Sequence, residues 1–178
     1  MSLKINKMLM LPPRKKKKKK KPAKILWWFP LKPRLQRLFM SLETANHMKW
    51  HVKGHVNDEI LRHPVGSDAW KSFDFKYIEF SSEPCNVRLG LTADGFNPYR
   101  NMSSTHSTWP IILIPYNLPP LMCMKRSSFM LSLLIPNPTS LENDINVYLQ
   151  SLVEELKELW DVGVKTFDVS CWIIVNHK

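Results

Sequence analysis

The chain is poor in cysteine: three in 178 residues, Cys85, Cys123 and Cys171, none of them spaced as CxxC. That excludes a disulfide framework and a cysteine-rich zinc site, and it suits a reducing compartment. Long apolar runs are also missing; none reaches the roughly 18 residues of a membrane span. In MSLKINKMLMLPPRKKKKKKK the cations follow the short apolar patch, the reverse of a secretory signal. An intracellular protein with no membrane partner is expected. Acids are scarce at the front: residues 1–60 hold 16 Lys and Arg against three acids, Glu43, Asp58 and Glu59, a balance of +13, whereas the remainder carries −2. The basic charge therefore belongs to the front of the molecule.

What is present allows one core. At 44% apolar and 11% aromatic, the chain can bury a single hydrophobic centre but not two large ones. The composition divides it into a lysine-rich tail (1–24), a helical basic and aromatic segment (25–80) and a strand-rich part (81–178). The tail contains eight consecutive cations, Arg14, Lys15, Lys16, Lys17, Lys18, Lys19, Lys20 and Lys21, which repel one another and are expected to be disordered. Such a run suits a nuclear import signal or a phosphate-neutralising arm, and equally a low-complexity repeat without function. Lys32, Arg34 and Arg37 continue the positive charge and complete the candidate nucleic-acid-binding set.

In AKILWWFPLKPRLQRLFMSLETANHMKWHVKG, Pro30 and Pro33 break the chain before Leu35, Leu38, Phe39 and Leu42 recur at helical spacing. A second helix is expected through Ala45 to Lys53, capped by Ser41 or Thr44 and stopped by Gly54. His47 and His51 stand four apart on it, a spacing that can chelate zinc. The glutamate of HExxH is absent, however, and no further ligand completes the shell, which favours a solvated or hydrogen-bonded helix face. Asp68 to Tyr77 repeats Trp70, Phe73 and Tyr77 at helical spacing behind Ser67 as N-cap, an aromatic stripe for packing. Neither segment pairs a nucleophile with a base at recognisable spacing.

Three apolar runs follow, VRLGLTADGF, WPIILIPYNLPP and FMLSLLIPNP. Their β-rich composition and turn-forming flanks predict three strands, and their short connections favour an antiparallel meander. One acid, Asp94, stands at the end of the first; taken alone it reads as an Asp-Gly turn. Next comes TSLENDINVYLQSLVEELKELWDVG, a helix with Ser140 as cap, Glu142 and Asp144 in its first turn and Gly163 as stop. Ile145, Leu149, Leu152, Val153, Leu156 and Leu159 form its apolar stripe, and Glu154, Glu155 and Glu158 are expected on its solvated face. A short last strand, CWIIV, closes the order strand, strand, strand, helix, strand, a mixed α/β class.

DGFNPYRNMSSTHSTWPIILIPYNLPPLMCMK and LENDINVYLQSLVEELKELWDVGVKTFD resemble the transposases of plant En/Spm-like (CACTA) DNA transposons. WFPLKPRLQRLFMSLETANHMKWH and LRHPVGSDAWKSFD extend the resemblance over about residues 23–168. It implies that the strand-rich part is the N-terminal half of a ribonuclease H-like fold, and that the chain descends from an enzyme cleaving and rejoining DNA in the nucleus with Mg²⁺ held by acids. Such chemistry needs carboxylates converging on ions about 3.5–4 Å apart. The resemblance makes Asp94 the first catalytic and metal-binding position. The family's next acidic string is not matched: after Asp168-Val169-Ser170 the chain reads CWIIVNHK. A truncated relic is expected, with Mg²⁺ weakly held or unbound and no strand transfer alone. Two roles remain open: DNA binding through the basic front, or pairing with a full-length transposase through an incomplete sheet.

Overall fold

Residues 26–54, 60–98, 107–137 and 145–178 are described by the computed structural model. The lysine-rich tail and the expected cap at Ser140, with Glu142 and Asp144, lie outside the described residues.

Two tryptophans ahead of the first helix form a short strand, β1 (Trp27–Trp28). The chain then turns at Pro30 into α1 (Lys32–Met40), where Pro33 occupies the first turn, a position at which its missing N–H costs no hydrogen bond. Leu31, Leu35 and Phe39, spaced by four, are buried along one face; each removes an apolar side chain from water, a gain of about 1.5–3 kcal/mol apiece. The expected continuous second helix is broken in two, α2 (Leu42–His47) and α3 (Trp50–Lys53), with Gly54 as the stop. After α3 come α4 (Asp68–Lys76) and α5 (Ile78–Ser81). Ser67 caps α4 as its spacing predicts, its hydroxyl accepting from the Trp70 N–H at 3.2 Å.

The three apolar runs become β2 (Leu89–Ala93), β3 (Ser107–Pro115) and β4 (Met130–Asn137), paired antiparallel in sequence order. β1 adds to the free side of β4, so the sheet runs β1-β4-β3-β2. β3 is central, with Ile111 and Leu113 in the core opposite Leu133 and Met130 of β4. The pairing slips by one residue between Ile111 and Ile112, next to Pro110, which cannot donate to a ladder. A short helix, α6 (Pro120–Cys123), bridges β3 and β4.

The long helix, α7 (Ile145–Asp161), buries Leu152 and Leu159 as its stripe requires. Glu155 departs from expectation: it is 7% exposed, with one carboxylate oxygen accepting from the backbone N–H of Leu31 at 2.7 Å and of Lys32 at 3.2 Å. Those are orphan donors at the start of α1, which a carboxylate satisfies well. Gly163 ends the helix at φ +77, where an added Cβ would meet the Asn176 side chain at 2.7 Å.

The single last strand expected over CWIIV is instead half of a hairpin, β5 (Val164–Asp168) with β6 (Ile173–His177), apart from the four-stranded sheet. It packs on α1: the Val169 N–H donates to Phe39 O at 3.1 Å, and the His177 ring stacks on Phe39 at 3.9 Å. Leu31, Leu35, Phe39, Ala45 and Met48 share one hydrophobic cluster with the sheet and α7.

Candidate functional site

Asp94 directly follows β2 and is exposed. Ala93 pairs with Ile111, and Phe96 bridges Thr108, so the same register carries on past β2 and sets Asp94 opposite Pro110. The Asp-Gly pair is therefore a stretch of extended chain held beside β3; it does not form a tight hairpin turn. Gly95 fits there because a Cβ would meet the Trp109 ring at 2.6 Å.

Asp168, the acid ahead of the last strand that does not match the family's next acidic position, is fully buried at the end of β5. Its Oδ1 accepts from the Ser170 N–H at 2.8 Å and the Ser170 hydroxyl at 2.6 Å, while Oδ2 faces Lys49 Nζ at 3.1 Å. Burial opposes ionisation of Asp168, but the two Ser170 bonds and the Lys49 ammonium outweigh it and hold the carboxyl below its ordinary range. Burial likewise opposes charge on Lys49; the Cys171 and Asp168 contacts prevail and raise its pKa. This carboxylate is consumed by a structural ion pair.

Cys85 Sγ lies 3.7 Å from Asp168 and precedes β2, whereas Asp94 follows it. The two acids thus stand at opposite ends of a five-residue strand, which spans about 16 Å. Among the described residues no group of three or more His, Cys, Asp or Glu gathers. The described residues do not fit a two-ion centre.

The histidines do not share a face. His47 Nδ1 sits 2.7 Å from Glu43 O on α2, whereas His51, across the break and buried on α3, contacts the Arg88 guanidinium through Nε2 at 3.1 Å. Burial, and then the Arg88 charge, push the His51 pKa down to about 4, so its ring is neutral. Arg88 also pairs with Asp74 at 2.7 Å and lies over Trp70, 4.6 Å from the ring centroid. Burial pushes the Cys85 thiol up to about 12 and raises Cys123. Neither is a thiolate nucleophile at neutral pH.

The α1 cations divide. Lys32 pairs with Glu158 of α7. Arg34 donates to Leu131 O of β4 and lies over the Phe29 ring. Arg37, one turn further along, makes no ion pair among the described residues and joins a basic groove that the sequence did not disclose. That groove, of about 730 Å³, lies between α1, α2 and the β3–β4 connection and is lined by Arg34, Arg37, Thr44, Lys125, Ser127 and Ser128. Lys125 too lacks an ion pair among the described residues; Glu43 is the acid on the groove wall. Unpaired cations interleaved with hydroxyls can neutralise and hydrogen-bond successive phosphates. The run Arg14 to Lys21 lies outside the described residues.

A family model described as transposase family tnp2 matches residues 58–174, more than half of the chain. The chain belongs to the tnp2 transposase family. The tnp2 match takes in β2 to β5 and α7, and so both Asp94 and Asp168. It also takes in Lys125, Ser127 and Ser128 of the basic groove, while Arg34 and Arg37 precede it. No curated protein and no solved structure matches the chain. Membership of the tnp2 family makes this a transposase-related protein, and DNA is the polymer on which such proteins act. No helix among the described residues is long and apolar enough to cross a membrane.

Proposed function

We propose that the chain is a DNA-binding protein descended from a transposase of the En/Spm-like (CACTA) type, acting in the nucleus and unable to transfer strands by itself. The β2–β3–β4 meander followed by α7 has the element order that opens a ribonuclease H-like fold. The observation that carries the binding reading is the groove lined by Arg37 and Lys125, unpaired among the described residues, and by the hydroxyls of Thr44 and Ser127, the Ser128 O–H being given to Met122 O. Asp94 keeps the inherited first catalytic and metal-binding position, but Asp168 is spent on Lys49 and lies at the other end of β2. With no group of carboxylates gathered beside Asp94 among the described residues, Mg²⁺ is held weakly and no cleavage follows.

The test is anisotropy of a labelled DNA duplex across a salt series with the full chain. Affinity should fall linearly on a log–log plot, and Arg37→Ala/Lys125→Ala should lower the slope by about 2, close to one phosphate per cation. A slope unchanged in that variant sinks the groove as the interface. Incubation with supercoiled plasmid and Mg²⁺ or Mn²⁺ should leave the plasmid intact; nicking that vanishes in Asp94→Ala refutes the inactive reading.

A second reading is favoured by the edge of the sheet. β2 ends the sheet on one side with Leu91 54% exposed, and β1 covers only two residues of β4 on the other. Unpaired strand edges recruit strands from other chains. Stable co-purification with a full-length transposase, lost in Leu91→Lys, would favour an interfering partner over a DNA binder.

A further inference from the structure

A second groove, of about 540 Å³, has the opposite character from the basic one. It runs between α7 and the turn that leads from β1 into α1, walled by Trp28, Pro30 and Pro33 on one side and by Glu154, Glu155 and Glu158 on the other. Three carboxylates meet a single lining cation, Lys32, in a chain whose formal charge is +11. Glu155 is the informative one. It is 7% exposed, and while Oε1 accepts from the two N–H groups at the start of α1, Oε2 has no partner. A buried carboxylate oxygen without a donor is costly, and it leaves negative charge uncompensated beside the groove that Glu154 and Glu158 also line. Trp28, at 47% exposure, offers a ring face beside it.

The chemistry that fits is a series of ammonium groups on alkyl stems. Each ammonium can donate to several carboxylates, its stem can lie along proline and tryptophan, and a tryptophan face attracts a cation. The chain supplies such a series itself. Arg14 to Lys21 is eight consecutive cations, and the described chain resumes at Leu26, one residue before β1. The five residues from Lys21 to Leu26 can reach up to about 17 Å, and Trp28 of the adjoining strand already lines the groove. A tether this short sets an effective concentration in the millimolar range.

We propose that the α7 groove docks the chain's own segment from Arg14 to Lys21, so that the basic arm is neutralised in cis until a polyanion displaces it. Docking stands on the groove alone; the competition with DNA rests on the reading given above, and the two are tested separately.

Zero-length carbodiimide cross-linking of the full chain, followed by peptide mass spectrometry of the monomer band, tests the docking. Links from Lys15 to Lys21 onto Glu154 or Glu158 are expected, falling at least tenfold in 0.5 M NaCl, where the screening length is about 4 Å. Their absence overturns the proposal, as does their appearance only in dimeric species, which would make a second copy the occupant, or an even spread over other exposed acids such as Asp68 and Glu79. For the competition, Glu154→Gln/Glu158→Gln should tighten DNA binding several-fold, and the gain should vanish when Lys15 to Lys21 are serine. Unchanged affinity overturns the competition. Loss of all DNA binding by the unsubstituted chain would instead sink the DNA reading and leave the cross-link result to decide docking.

Discussion

Lys49→Met removes the ammonium that faces Asp168 across the β5–β6 turn while keeping most of the stem's volume. Asp168 is fully buried, and the Lys49 side chain is 12% exposed, so the pair sits in a poorly solvated place. Breaking a buried pair from one side costs about 3–5 kcal/mol, because the remaining charge is stranded. Asp168 would keep the two Ser170 bonds to Oδ1, which places the expected loss near the lower end, about 3 kcal/mol. For a chain of this length that corresponds to a fall in Tm of about 6–12 °C. Urea unfolding followed by circular dichroism gives the loss directly. Asp168→Asn in the same background removes the stranded charge, so the double variant should recover part of the stability. A loss under about 1 kcal/mol for Lys49→Met, or a double variant no better than the single one, would refute the assignment of a buried ion pair. The pair also sets a pH window. The Asp168 pKa is lowered by folding, so its contribution is present above the unfolded carboxyl value and is lost as pH falls through the folded value.

Glu155→Ala leaves the Leu31 and Lys32 N–H groups without their acceptor and should cost about 1–3 kcal/mol in the same unfolding assay, with Gln recovering part of it. His51 is held neutral in the folded chain, with its pKa depressed from 6.5 to about 4; the unfolded state binds more protons between those values, so stability should fall as pH drops through that window, and a flat profile there would contradict its burial. Thiol titration of the native chain at neutral pH should count one fast cysteine, the exposed Cys171, with the buried Cys85 and Cys123 reacting only after denaturant is added. Gly163→Ala should cost more than about 1 kcal/mol, since the residue sits at φ +77 against Asn176 and the His177 carbonyl.

The sequence made the central sheet legible because its strands are short apolar runs with turn-forming residues between them, and β2, β3 and β4 pair as the short connections demand. α4 was legible through its Ser67 cap and α7 through its stripe. β5 was not, because its alternation is inverted: Thr166 and Asp168 point inward while Phe167 is 44% exposed, so a polar stretch that reads as a link is a strand. β1 is two residues long, too short to show a period, and exists because β4 offers an edge. Glu155 was read as solvated because a charge on a helix normally is; its acceptor role depends on a backbone 124 residues away. The division of the α1 cations was hidden for the same reason. Lys32 and Arg34 are occupied by α7 and β4, and Lys125 joins Arg37 only through the fold. Asp94 stood out through the family resemblance, since its own surroundings read as an Asp-Gly turn, and no local pattern could reveal that Asp168 lies beside Cys85, ahead of β2.

The reach of Glu155 back to Leu31 has a consequence for how the molecule is made. β1 pairs with a strand more than a hundred residues later, and α1 receives its cap only from α7. Contacts of such long separation form late, since the loop must close before any reward arrives. On a ribosome the front of this chain therefore emerges first and is secured last. Trp27 and Trp28 wait beside a run of lysines until β4 has been synthesised, and the Leu31 and Lys32 N–H groups wait longer, until α7 brings Glu155.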